Sequence, residues 1–114
     1  MSEKLDVKSI LEADVVQQVK DIIKMTGIKL QRINTGAFKV GNRYIKTAEA
    51  GTLDFEGYDK HGRFVGIECK RPCGGRVSPA QAARIADIKA AGGVAFIVTS
   101  GADALQGLRA NDCI

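Results

Sequence analysis

The sequence predicts an α/β domain, and three observations carry that prediction. Apolar residues near the start recur at helical spacing, and those in the middle alternate with period two. A second helical stretch then leads, through two glycines, into a short continuous apolar run. At 114 residues the chain is long enough for one modest core and is expected to be a single domain over its whole length.

The elements follow in order. From about Asp6 to Met25, Leu11, Val15, Val19, Ile22 and Ile23 form an apolar stripe flanked by Ile10 and Val16, and Gly27 supplies the stop. Ile28 to Thr35 reads as a first strand. Phe38 to Thr47 reads as a further extended stretch, folded into a hairpin at Gly41-Asn42. Thr47 to Gly51 is expected to be a mobile loop. Two alternating arms follow, Thr52 to Tyr58 and Arg63 to Arg71, joined by a turn whose Gly62 fits the left-handed position of a three-residue loop. Ser78-Pro79-Ala80-Gln81 opens a second long helix: Ser78 is an N-cap, Pro79 suits the first helical position, and Gln81 completes a capping box. That helix runs to Gly92-Gly93. Val94 to Thr99 has the pattern of a strand buried on both faces and, following a helix, is expected to lie parallel to its neighbour. Ala102 to Arg109 closes the chain as a short helix.

The central arms carry the chemistry. Alternation places Leu53, Phe55, Val65, Ile67 and Cys69 on a dry face and Asp54, Glu56, Glu68 and Lys70 on a wet one. A loop of Lys60, His61 and Gly62 sets Asp59 opposite Arg63 and, counting back, Asp54 opposite Glu68. Facing side chains there have Cβ atoms about 4.5–5.5 Å apart, and like charges so placed destabilise a sheet. A divalent cation would offset that cost, because hard cations take carboxylate and carbonyl oxygens. The backbone carbonyl of Cys69 offers a third oxygen, and Lys70 emerges beside Glu68. One Asp, one Glu and one Lys around a metal suit phosphodiester hydrolysis. A Glu-x-Lys on a solvated strand is also a common and inert pattern; the pairing of like charges is what favours the catalytic reading.

Gly51-Thr52-Leu53-Asp54, Ile67-Glu68-Cys69-Lys70-Arg71-Pro72 and Gly75-Arg76-Val77-Ser78-Pro79-Ala80-Gln81 together resemble the virus-type replication-repair nuclease (VRR-NUC) domain of the PD-(D/E)XK nuclease superfamily. The likeness extends to Arg32-Ile33-Asn34-Thr35-Gly36 and Ala91-Gly92-Gly93-Val94-Ala95, and so spans most of the chain. Leu53 stands where the superfamily's name has proline. The resemblance implies a restriction-endonuclease-like core, Mg²⁺ (with Mn²⁺ as a substitute) held by Asp54, Glu68 and the Cys69 carbonyl, and catalysis by Asp54, Glu68, Lys70 and Gln81. It also implies a supporting acid on the first helix, for which Glu12 is the matching position. Capping alone accounts for Gln81, and a plain surface residue for Glu12, so both readings stand. Stand-alone members of the family act as homodimers on branched DNA, including four-way (Holliday) junctions, and the same is expected here.

Charge agrees with a polyanionic partner. Seventeen Lys and Arg against thirteen Asp and Glu give a formal charge of +4, with a pI near 9.1. Arg32, Asn34, Lys39 and Arg43 precede the proposed metal site, Arg71 and Arg76 flank the glycines after it, and all six are candidate nucleic-acid contacts. A solvated basic face is the plain alternative for any one of them. No apolar run is long enough to span a bilayer and nothing resembles a signal peptide. Three cysteines without paired zinc spacing, Cys69, Cys73 and Cys113, read as reduced thiols of a cytoplasmic protein, of phage or mobile-element origin if the family is a guide. The absence of Gly-x-x-x-x-Gly-Lys removes a P-loop and any nucleotide cofactor. The rival reading is a non-catalytic nucleic-acid-binding module.

Overall fold

A computed structural model of the chain describes residues 7–33, 37–46 and 49–114, with the backbone only at 37–39 and 44–46. A 3-10 turn, Val7–Ser9, precedes helix α1 (Glu12–Thr26). The helix therefore begins later than the stripe of apolar residues suggested. The Asp14 carboxylate accepts from Leu11 N at 2.8 Å and caps the helix there, which turns Leu11 outward, 57% exposed, away from the core. Asp6 lies outside the described residues.

Strands β1 (Lys29–Arg32), β2 (Ala37–Val40), β3 (Arg43–Lys46), β4 (Phe55–Tyr58), β5 (Phe64–Cys69) and β6 (Val94–Val98) follow, with α2 (Pro79–Ala90) between β5 and β6 and α3 (Gly101–Ala110) last. Four strands make one mixed sheet in the order β1-β4-β5-β6; β1, β4 and β5 are antiparallel, and β6 joins parallel to β5 as its crossover position predicts. Strands β2 and β3 turn at Gly41-Asn42 as expected, but form a separate two-stranded ribbon rather than extending the sheet.

The register of the central hairpin is the one its turn chemistry predicts. Asp59 N donates to Arg63 O at 3.1 Å, Gly62 has φ 77°, and the ladder runs Tyr58↔Phe64 to Phe55↔Ile67. The buried Asp59 carboxylate accepts from His61 N, Arg63 N and Arg63 Nε at 2.8–3.0 Å, tying the turn from inside. Lys60 and His61 reach on to Asp112, so the hairpin tip also holds the end of the chain.

The division into wet and dry faces does not hold. Helices α1 and α3 cover one face, where Val15, Val19, Phe55, Val65, Ile67, Cys69, Ala104 and Leu108 pack together. Helix α2 covers the other, through Ile85 and Ile88. Asp54, Glu56 and Glu68, expected in water, are thus buried at 9%, 8% and 2% exposure. Leu53 sits with them on the α2 side, packed on Ile88 and Ala95, and not with Phe55. It precedes the ladder, where strict alternation no longer binds it, and it fills the space over Gly66 that a side chain there would need. Strand β6 is buried on one face and, on the other, only at Ala95. It lies at the sheet edge, and α2 covers Ala95 but leaves Ile97 41% exposed. No helix of the described residues is long and apolar enough to cross a membrane.

Candidate active site

The site forms where β4 and β5 part. One step beyond the last ladder pair, Phe55↔Ile67, stand Asp54 and Glu68. They do not simply face each other as charges. Asp54 N donates to Glu68 Oε1 at 3.1 Å, and Asp54 Oδ2 accepts from Cys69 N at 2.8 Å. Each acid therefore takes a backbone donor from the other's strand, replacing ladder bonds with charge-assisted ones.

Two further side chains converge on Glu68, and a third stands beside them. Lys70, two residues past Glu68, brings Nζ to 3.0 Å from Glu68 Oε2. Gln81, in the first turn of α2, brings Nε2 to 2.5 Å from the same oxygen. Its position follows from the predicted cap: Ser78 Oγ accepts from Gln81 N, and Gln81 Oε1 accepts from Ser78 N, both at 3.1 Å. The capping and site readings of Gln81 are both realised. Glu12, at the start of α1, stands with Oε1 3.8 Å from Lys70 Nζ, on the edge of the cluster and half exposed.

Electrostatics at the pair are strained. Burial, with Asp54 nearby, pushes Glu68 up to about 7 even though Lys70 pulls the other way. Burial works against the Lys70 charge, but the hydrogen bond and attraction of Glu68 outweigh it and raise Lys70 above its ordinary value, so it is an ammonium at neutral pH. Burial lifts the Cys69 thiol to about 12, which keeps it protonated and leaves its carbonyl as the oxygen it can offer. Among the described residues no three His, Cys, Asp or Glu side chains gather at one point, and every buried side-chain polar atom has a partner. The available hard donors are two carboxylates and a carbonyl.

The expected nucleic-acid contacts divide. Arg32 is exposed but lies along Asp54: Nη1 is 3.4 Å from Asp54 Oδ1 and donates to the carbonyls of Ile33 and Asp54, while its guanidinium covers the Phe55 ring at 5.8 Å. It borders the acid cluster while remaining open to solvent. Arg43 is exposed on the β2–β3 ribbon. Lys39 lies on β2, where only the backbone is described, and Asn34, Thr47 and Ala48 lie outside the described residues. Glu49 to Gly51 form a turn, as the loop expectation has it, and this turn meets α2: Gly51 packs against Ala80, and Glu49 Oε2 stands 3.9 Å from Arg84 Nη1. Arg71 and Arg76 are exposed and, with Glu12, Lys70, Gly74 and Gly75, line a cleft of about 350 Å³. A larger groove of about 530 Å³ runs along α2 past Phe64 and Ala83 and is lined by neither Asp54 nor Glu68.

One pair was not foreseen. Glu56 accepts two hydrogen bonds from Arg84, Nε and Nη2 each at 2.7 Å, and Glu56 Oε2 also accepts from Leu53 N at 3.2 Å. Glu56 thereby holds the backbone just before Asp54 and, through Arg84, the helix that carries Gln81. The available signal was Glu56 on the acid face and Arg84 one helical turn after Gln81. No family model matches the chain, and no curated protein or solved structure matches it.

Proposed function

We propose that the chain is a metal-dependent DNA endonuclease that hydrolyses phosphodiester bonds. The observation that carries this reading is the meeting of Lys70 and Gln81 on one oxygen of buried Glu68, with Asp54 bonded to the same carboxylate. A buried acid pair with one member pushed to about 7 is short of positive charge. Hard oxygen donors without histidine or thiolate suit Mg²⁺ or Mn²⁺. Asp54, Glu68 and the Cys69 carbonyl would hold the ion, with Glu12 at the margin. A divalent cation there supplies Lewis acidity toward a phosphoryl oxygen and lowers the pKa of a water.

The side chains divide the remaining work. Lys70, an ammonium already aimed at the site, orients the attacking water and stabilises the charge that develops on phosphate. In the ion-free chain its raised pKa gives it an electrostatic part. Gln81 fixes the Glu68 carboxylate, and Arg32 fixes Asp54 from the far side. The motifs shared with the VRR-NUC domain and the order helix, antiparallel strands, helix, parallel strand agree with a PD-(D/E)XK core. A homodimer presenting two sites to two strands would suit branched DNA such as a four-way junction.

The experiment is a panel of labelled single-stranded, duplex, flap and four-way DNA, incubated with the protein in Mg²⁺, Mn²⁺ or EDTA. Metal-dependent cutting with preference for branched substrates is expected. Intact DNA under every condition would refute the enzyme and leave the binding module. Sedimentation at micromolar concentration tests the dimer, and a monomer throughout would remove the junction-resolving version.

A further inference from the structure

Of the four proposed catalytic residues, Lys70 is the one that lines the cleft of about 350 Å³. The walls are the start of α1, with Leu11 and Glu12, and the loop after β5, with Arg71, Gly74, Gly75 and Arg76. Three cations face one acid across it. Arg71 is folded over the loop, with Nη2 donating to Gly74 O at 3.4 Å. At Gly75 a Cβ would lie 2.8 Å from Arg71 O and 3.0 Å from Lys70 Cβ, so the bare backbone rests directly on the stem of Lys70. The cleft has no aromatic wall that would hold a base or a drug-like molecule, in contrast to the mostly apolar lining of small-molecule sites.

We propose that this cleft seats a backbone phosphate of the nucleic acid adjacent to the one that is cut, held by Arg71 and Arg76. Arginines and side-chain-free backbone are the groups that position phosphodiesters without reading bases. The opposite side of the acid pair is closed by α2, whose Arg84 is committed to Glu56, and Arg32 is committed to Asp54. The strand thus approaches from the side of α1 and the glycine loop. The proposal rests on the nuclease reading for the word "cut"; the seat itself requires only a phosphodiester.

The test is fluorescence-anisotropy binding of a labelled single-stranded oligonucleotide to the full chain, in EDTA and in Ca²⁺, across 50 to about 250 mM salt. The variants are Arg71→Ala/Arg76→Ala and Arg71→Lys/Arg76→Lys. Removing one cation that neutralises a phosphate should reduce the slope of log affinity against log salt by about 0.7 on single strands. The alanine pair empties one phosphate seat and is therefore expected to lower the slope by about 0.7 and affinity at least fivefold at low salt, while the lysine pair keeps most of the slope. Parent-like binding by the alanine pair would overturn the proposal. So would equal weakening in both pairs, which would assign the effect to loop shape, or no binding by the parent in either buffer. Binding that needs these arginines in a chain that cuts nothing with Mg²⁺ would refute the nuclease and keep the seat. Cutting and binding both indifferent to them would refute the seat alone.

Discussion

Gln81 donates to Glu68 Oε2 at 2.5 Å while its own Oε1 accepts from Ser78 N at 3.1 Å. One side chain thus closes the start of α2 and reaches a buried acid on β5. The two duties can be separated. Ser78→Ala removes the hydroxyl that caps Gln81 N and should cost about 1 kcal/mol in urea unfolding, with cleavage retained. Gln81→Ala should cost a similar amount but lower single-turnover cleavage at least tenfold. Equal cleavage by the two variants would reduce Gln81 to a cap.

The Glu56–Arg84 pair joins the strand before the site to the helix after it. Arg84→Met leaves a buried carboxylate without its partner. A fully buried case costs roughly 3–5 kcal/mol, and with the Arg84 side chain 30% exposed the loss should be about 2–3 kcal/mol. Glu56→Gln in the same background should recover part of it, since the stranded charge is gone. Additive losses in that double-mutant cycle would mean that the pair is not coupled.

Glu68 makes stability depend on pH in a defined direction. Its folded value, about 7, lies above the ordinary 4.5 because burial disfavours the charge. Between these values the unfolded chain has released a proton that the folded chain keeps. The stability from this group is therefore whole below pH 4.5 and is lost as pH rises to about 7. In EDTA, wild type should lose on the order of a few kcal/mol more than Glu68→Gln between pH 5 and pH 8. Mg²⁺, which requires the ionised acid, should raise the melting temperature more at pH 8 than at pH 5.5. A cation effect independent of pH would contradict binding at Glu68.

Much of this arrangement could be read from the chain because it is local. The register of the hairpin follows from Asp59 and Gly62, which lie within one turn, and the start of α2 from Ser78, Pro79 and Gln81. The hairpin register suffices to bring Asp54, Glu68 and Lys70 together; that Gln81 joins them depends also on where α2 packs. What escaped depends on partners distant in sequence. Alternation along β4 and β5 separates two faces but does not say that α2 will cover the second, so the burial of Glu56 and the place of Leu53 were not legible. Arg84 lies 28 residues from Glu56, and the acid face and the spacing from Gln81 mark each residue separately without joining them. The contact of Arg32 with Asp54 was not legible either, because the two lie 22 residues apart across β1 and β4. The separation of the β2–β3 ribbon likewise depends on long-range pairing that strand propensity does not encode.

Whether Asp54, Glu68 and Lys70 act at one ion is decided by single-turnover cleavage of labelled DNA in Mg²⁺ by wild type, Asp54→Asn and Lys70→Ala, with DNA affinity measured on the same preparations. Two buried acids and an ammonium sharing a cation predict that either substitution slows cleavage by about 10²–10⁴-fold, with affinity changed far less. Cleavage by Lys70→Ala at the wild-type rate, or a wild-type protein that binds DNA and never cuts it, would contradict that assignment.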